Sequence, residues 1–210
     1  MKDVLKQAVQ TYNKIAKIYS DYTYNKIQQY QLTKFISMLP GKRVLDAGAG
    51  SGRDVEYFLN EGYDAIGIDI SEGMLKEAKK RVPKKSVFKK MDFRKLKFKK
   101  ESFDGIWSMS SLVHIPRKEV KDVLKGFNEI LVKKGVLFIA VKEGKGKKEI
   151  KRLYYKNEPR TFVYFTEKEM RKYLEDTGFE VITSEVNEAR DTKWLEKYGE
   201  KIGLTEESAA

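Results

Sequence analysis

Cysteine is absent from this chain of 210 residues. That removes disulfides, cysteine metal sites and thiol nucleophiles from its possible chemistry, and no metal is expected. A chain without disulfides suits the cytoplasm, which is the expected compartment. Histidine is nearly absent too: His114 is the only one. Only this side chain titrates near neutrality when unperturbed. No apolar run approaches the ~18 residues of a membrane span, and the N-terminal MKDVLKQAVQ carries charge in every turn, unlike a signal peptide. No membrane association is expected.

Lysine is abundant. The net charge is +12, with a dense run from Lys79 to Lys100. Such a balance fits an acidic or nucleic-acid partner. It also fits a Lys/Glu-rich, thermostable surface of the hyperthermophile kind, and both readings stay open. Within the run only Phe88, Phe93 and Phe98 could stack on bases, which does not favour nucleic acid.

Periodicity divides the chain. Residues 2–39 carry apolar residues at helical spacing, with a second helix from about Tyr24 to Met38 stopped at Pro40-Gly41. From residue 40 short apolar runs alternate with helical segments. Strands are expected at 43–47, 64–70, 86–90, 103–109 and 136–141. Helices are expected at 53–61, 72–81 and from Pro116 to Val132, the last ended by Lys133-Lys134-Gly135. This alternation predicts an α/β fold with a parallel sheet between helical layers. In the tail, Thr161–Phe165 reads as extended. Thr166 with Glu169 forms a capping box before a helix, and a strand is expected at 179–186. Residues 192–202 fit a helix or a strand, and a strand is expected because it would cover the edge beside 179–186.

One stretch carries chemistry: VLDAGAGSGRD, Val44 to Asp54. Gly48 and Gly50 fit the dinucleotide fingerprint G-x-G-x-x-G, but the third glycine, Gly52, comes one position early. A Walker loop's G-K-S/T is missing. Asp46 at the strand tip would repel a pyrophosphate and suit a cationic ligand. Glycine lets the ligand approach the backbone, and the following helix N-terminus can receive a carboxylate. A nucleoside with a positive centre and an amino-acid head meets these requirements.

VLDAGAGSG resembles the first motif, D/E-x-G-x-G-x-G, of the class I SAM-dependent methyltransferases, and residues about 40–142 follow that family well. The resemblance implies a three-layer α/β/α sandwich. Its mostly parallel seven-stranded sheet has the order 3-2-1-4-5-7-6 with the last strand antiparallel. It also implies one domain: a helical cap at 1–39, a cofactor-binding core at 40–142 and sheet completion at 143–210. S-adenosyl-L-methionine is the implied cofactor and S-adenosyl-L-homocysteine its product. Asp46, Gly48, Ala49, Gly50 and Gly52 take the loop positions. Asp69, in GIDISEGML, takes the ribose position, with Ile70 and Met74 against the adenine. Asp92 takes the place of the acid that meets the adenine amino group, and the Phe93 amide that of a second contact to the ring. Ser108 is expected at the methionine part. YNKIAKIYSDY resembles the helical cap of small-molecule members, so Tyr12 and Tyr19 are expected to reach the cofactor.

The acceptor is less legible. Pyrimidine C5 methylation through a cysteine adduct is excluded, and the Asn/Asp-Pro-Pro-Tyr/Phe motif used for base amino groups is replaced by Ser108-Met109-Ser110-Ser111. A small-molecule O or N acceptor is therefore expected. RNA and a non-catalytic SAM-binding regulator are the alternatives. His114 is the candidate base. Tyr22, His114, Glu143, Arg160 and Arg190 are candidate acceptor contacts. A monomer or homodimer is expected.

Overall fold

The computed structural model describes residues 4–82, 87–189 and 192–202. Two helices come first, α1 (Val4–Thr23) and α2 (Gln29–Ser37). Strands β1 (Arg43–Ala47), β2 (Asp64–Asp69), β3 (Phe88–Lys90), β4 (Phe103–Met109) and β5 (Leu131–Glu143) then alternate with α3 (Arg53–Asn60), α4 (Glu72–Arg81) and α5 (Arg117–Ile130). The tail adds β6 (Lys147–Ile150), β7 (Arg160–Phe165), α6 (Glu167–Glu175), β8 (Phe179–Ala189) and β9 (Thr192–Lys201).

The strands β3, β2, β1, β4 and β5 lie side by side in that order, all parallel. β9 joins β5 antiparallel from Val136↔Glu200 to Lys142↔Trp194, and β8 pairs antiparallel with β9 outside it. Counted without the β6–β7 hairpin, this is the expected order 3-2-1-4-5-7-6. Residues 192–201 are a strand, which covers the edge of β5. The hairpin is additional. β7 pairs with β5 only at Lys142↔Tyr164 and Glu143↔Phe165, and β6 returns along β7. It thus stands at the carboxyl end of β5, where the loops of a parallel sheet gather.

Pleating sorts the core into two layers, because successive strand residues point to opposite faces. Leu45, Ile106, Leu137 and Ile139 pack with α5 and α6 through Val120, Leu124, Phe127, Met170 and Leu174. Val44, Trp107, Phe138 and Ala140 pack on the other face with α2, α3 and α4 through Phe35, Val55, Phe58 and Ala78. Trp107 stacks on Phe138 with ring centroids 3.9 Å apart, and its Nε1 donates to Asp54 Oδ2 at 3.0 Å. Each buried side chain of this size contributes roughly 1.5–3 kcal/mol.

Several boundaries move. α5 ends at Ile130, not Val132, and β5 begins at Leu131, opposite Phe103. The residues expected as a turn are an irregularity inside the strand: Lys134 is left-handed at φ 61°, and the register shifts between Phe103 and Gly105. Turn-forming chemistry can serve a bulge as well as a chain reversal. α2 starts at Gln29, so 24–28 is a link rather than helix. β3 starts at Phe88, and part of the expected 86–90 strand lies outside the described residues. Among the described residues no helix is long and apolar enough to cross a membrane.

Candidate active site

Three glycines after β1 are all left-handed, and each has a different reason. Gly48 has φ 98°, and a Cβ there would meet Ser111 Oγ at 2.0 Å, so it lets β1 and the loop after β4 touch. Gly52 has φ 81° and starts α3; its Cβ would lie 2.6 Å from Phe88 Cζ, so it sets helix-to-sheet packing. Gly50 has φ 54°, and its Cβ would meet only Met74 Cε, at 3.5 Å. Here the backbone is open to a ligand.

Asp69 ends β2 and faces this loop. Its Oδ2 accepts from the Gly50 amide at 2.9 Å and its Oδ1 from the Ser71 amide at 2.8 Å. Burial pushes its carboxyl above the usual range, against these two amides. Ser71 caps α4 by accepting from the Met74 amide.

A cavity of about 110 Å³ opens between the loop, β2 and α1. Gly48, Gly50, Asp69, Ile70, Met74, Phe93, Tyr12, Tyr19 and His114, all named from the sequence, line it. Other expected residues stand elsewhere. Asp46 is buried at the tip of β1; burial and neighbouring Asp54 push its carboxyl well up, opposed by Arg53. Ala49 is buried in the α3–α4 layer, and Gly52 packs as above. Ser108 is fully buried, its Oγ 3.4 Å from the Ala47 carbonyl. Asp92 turns to Arg94, whose guanidinium holds its carboxyl below the usual range against partial burial.

Other residues in the wall were not anticipated. Met109, Ser110 and Ser111 take the place expected of Ser108. Ser110 has φ 60°, uncommon outside glycine and frequent at functional loops. The run of small residues after β4 was the available signal. Asn13, which does not line the cavity, was not anticipated either: its Oδ1 accepts from Ser71 Oγ at 2.8 Å and from the Gly73 amide at 2.9 Å. A Cβ on Gly73 would come within 2.9 Å of the Asn13 backbone, so α1 crosses α4 in close contact. This pins the cap beside the cavity. Nothing in the sequence distinguished Asn13 from other polar helix residues.

A second cavity, about 220 Å³, lies on the far side of Tyr12, Tyr19 and Ser110, which wall both. The β6–β7 hairpin and β9 complete it through Ile150, Arg160, Phe162, Thr192 and Trp194, with Tyr154, Tyr155, Lys142 and Arg152. Of the candidate acceptor contacts, Arg160 lines this cavity and Glu143 does not: alternation along β5 turns Lys142 into the cavity and its neighbour away. Tyr22 is one step removed, stacked on Tyr154 at 4.5 Å. Arg190 lies outside the described residues.

His114 lines the first cavity beside this shared wall. Its Nδ1 is 3.0 Å from the Thr161 carbonyl, an acceptor, so Nδ1 carries the proton. Neutral Nε2 then accepts from Tyr12 Oη at 3.2 Å. Burial, with Arg160 and Lys142 nearby, lowers its pKa to about 4, against the Thr161 bond. Burial raises the Tyr12 phenol well above its usual value. No cluster of three metal-ligating side chains occurs among the described residues.

The first cavity thus offers a carboxylate beside an open glycine backbone and an apolar slot between Ile70, Met74 and Phe93. These residues fit an adenosine: hydroxyls to the acid, ring to the slot. The fold and this site resemble those of the class I SAM-dependent methyltransferases. Residues 44–135 match the family model described as a methyltransferase domain. The cofactor of the family is S-adenosyl-L-methionine. Among curated proteins, the demethylmenaquinone methyltransferase of Renibacterium salmoninarum is 44% identical over 48 residues, covering 23% of this chain. The match spans only 20% of that relative's length. Among solved structures, a SAM-dependent methyltransferase from Methanosarcina mazei aligns with a TM-score of 0.72 at 20% identity, over 81% of this chain and 97% of that one. The 1,6-didemethyltoxoflavin-N1-methyltransferase of Burkholderia thailandensis, solved with its acceptor and S-adenosylhomocysteine, aligns with a TM-score of 0.72 at 22% identity, over 95% and 87%. At these identities the structures show a shared fold.

Proposed function

We propose that this protein transfers a methyl group from S-adenosyl-L-methionine to an oxygen or nitrogen of a small-molecule acceptor. The observation that carries this reading is the pair of adjoining cavities at the carboxyl end of β4, which share Tyr12, Tyr19 and Ser110 as lining residues. The activities of the R. salmoninarum and B. thailandensis proteins, both on small molecules, support it.

Asp69 would accept the ribose hydroxyls, Gly48 and Gly50 would give backbone access, and Ile70, Met74 and Phe93 would sandwich the ring. When bound, the sulfonium would supply an activated methyl: the acceptor's lone pair would bond to that carbon as the C–S bond breaks, the C–S electron pair would stay on sulfur as S-adenosylhomocysteine, and the proton of the methylated oxygen or nitrogen would pass to solvent water. The chain's own task is alignment and water exclusion, which can supply roughly 7–11 kcal/mol. Tyr12 and Tyr19 form the dry wall across which the two reactants face each other. In this reading His114 is a positioning residue. With Nδ1 committed to Thr161 and Nε2 to Tyr12, it holds the phenol in place instead of collecting the acceptor's proton.

The test has two arms. S-adenosylhomocysteine should raise the melting temperature through binding to the native state. Radiolabelled SAM with a pool of small metabolites should give a labelled product in the low-molecular-weight fraction. Label in RNA would move the acceptor to nucleic acid. Ligand-induced stabilisation with no labelled product from either source would favour the regulatory reading.

A further inference from the structure

The acceptor cavity has a charge pattern that narrows its ligand. Arg160 projects from the start of β7 and is only 7% exposed. The groups around its guanidinium are rings, Tyr155 at 4.4 Å, Phe162 at 5.3 Å, Tyr19 at 5.9 Å and Tyr12 at 6.0 Å, together with the Tyr12 hydroxyl, which accepts from it. Its buried Nε has no hydrogen-bond partner among the described residues. A buried cation with a donor left over is costly unless an anion meets it. Lys142, 6% exposed, lines the same cavity with its Nζ 4.6 Å from Phe162 and 4.8 Å from Trp194. Arg152 adds a third positive group, and among the described residues no Asp or Glu lines the cavity.

We propose that the second cavity binds an anionic acceptor with a planar body, its carboxylate gripped by Arg160 and its ring system held between the aromatic walls. This rests on the methyltransferase reading of the adjoining site. A guanidinium presents paired N–H donors that match the two oxygens of a carboxylate. Tyrosine, phenylalanine and tryptophan walls favour a flat partner by offset or edge contacts. The gripped oxygens have their lone pairs engaged by the guanidinium and are poor nucleophiles. The methyl therefore goes to a hydroxyl or amine elsewhere on the body, on the side facing Ser110. Lys142 supplies a long-range pull on the anion.

Trp194 gives a direct readout, since the only other tryptophan, Trp107, is buried under Phe138 in the core. The full chain, with S-adenosylhomocysteine present, is titrated with benzoate and 2-naphthoate, and in parallel with benzamide and 2-naphthamide. The carboxylates should change Trp194 fluorescence and bind about tenfold more tightly than the amides, as expected for one charge-assisted contact. Arg160→Gln should erase that preference while keeping the thermal shift caused by S-adenosylhomocysteine, which reports that the variant is folded. Equal binding of acid and amide, no response to either carboxylate, or a preference that survives Arg160→Gln would each overturn the proposal. So would inorganic phosphate displacing 2-naphthoate as well as benzoate does at matched ionic strength, because the site would then recognise charge alone. The amide comparison uses the native protein and does not depend on the variant folding. A normal response to S-adenosylhomocysteine with no carboxylate binding defeats this proposal and leaves the methyltransferase reading standing. No response to S-adenosylhomocysteine defeats that reading, whatever the carboxylates do.

Discussion

The protonation state of His114 can be predicted in detail, and it separates a positioning role from that of a base. Burial lowers its pKa from 6.5 to about 4, with Arg160 and Lys142 adding to the effect and the Thr161 carbonyl opposing it. The groups facing the ring are Tyr12, Arg160 and Lys142, none of which supplies a negative charge near neutrality. A lowering of this size corresponds to about 3 kcal/mol. The sign follows from proton uptake. Above pH 6.5 the imidazole is neutral in both folded and unfolded chains, and stability does not depend on it. Between 6.5 and 4 the unfolded chain takes up the proton first, so stability falls as pH falls. The raised carboxyls of Asp46 and Asp69 act oppositely, because they take up protons earlier in the folded state. The difference between wild type and His114→Gln cancels those contributions. In urea titrations, that difference should be constant above pH 6.5 and shift against the wild type by up to about 3 kcal/mol near pH 4. Since the chain has one histidine, the untagged protein should give one imidazole Cε1–H resonance, with its titration midpoint near 4. The pH–rate profile should then show no His114 limb between pH 5 and 8. A resonance midpoint at or above 6.5, or a stability difference that is flat through the acid range, would refute the neutral, positioning assignment.

The glycines of the loop should separate by what they touch. Gly50→Ala should weaken S-adenosylhomocysteine binding, read by calorimetry, while costing about 1 kcal/mol of stability for the left-handed backbone. Gly52→Ala adds a contact at 2.6 Å with Phe88 and should lower the melting temperature more than Gly50→Ala does. Asp69→Ala should cancel most of the thermal shift caused by S-adenosylhomocysteine, since it removes both the carboxylate proposed to accept the ribose hydroxyls and the loop's anchor at Gly50. Asn13→Ala removes an acceptor shared by Ser71 and Gly73 and should destabilise by about 1–3 kcal/mol. Faster hydrogen exchange confined to α1 and the start of α4 would be its signature.

What could be read beforehand followed from local rules. The alternation of strand and helix, the glycine loop, the capping box at Thr166 and the acid at Asp69 are each set by a few adjacent residues. The order of the sheet was legible only through family resemblance and the need to cover an edge. Depth into a cavity was harder. Asp92 and Asp69 look alike in sequence, each an acid after a strand. Arg94, two residues on, captures the first with several hydrogen bonds, while the second finds backbone amides and faces the cavity. Glu143 and Lys142 differ by one step of the pleat, and a one-residue error in strand phase exchanges which of them meets the ligand. Ser108 and Ser110 would share a face of a regular strand, but β4 ends at Met109 and the left-handed turn at Ser110 brings it to the cavity. The Arg160 cage was the least visible. Its rings come from α1, from the segment around Tyr155 and from β7, which are brought together only by the hairpin that crosses the end of β5.

The positive charge can be weighed by position. Lys89, Lys97 and Lys99, from the lysine-dense run, line a groove with Arg43 and Asp64. Arg43, Asp64 and Phe103, also in that groove, are the first residues of β1, β2 and β4, so it lies at the amino ends of these strands. Both cavities lie at the carboxyl ends. Five residues of β1 separate the two edges by about 17 Å of sheet, and the layers on either face close the direct route. A nucleic acid held by the lysines would therefore be held away from the two cavities that Tyr12 and Ser110 line. If a single-stranded RNA oligomer binds at low salt, its affinity should fall steeply as salt is added. It should drop when Lys89 and Lys97 are changed together to Glu, yet stay unchanged when S-adenosylhomocysteine and 2-naphthoate saturate the cavities. RNA that competes with 2-naphthoate, or that binds the Lys89/Lys97 variant undiminished, would instead put nucleic acid at the acceptor site and remove the charge argument for a small anionic substrate.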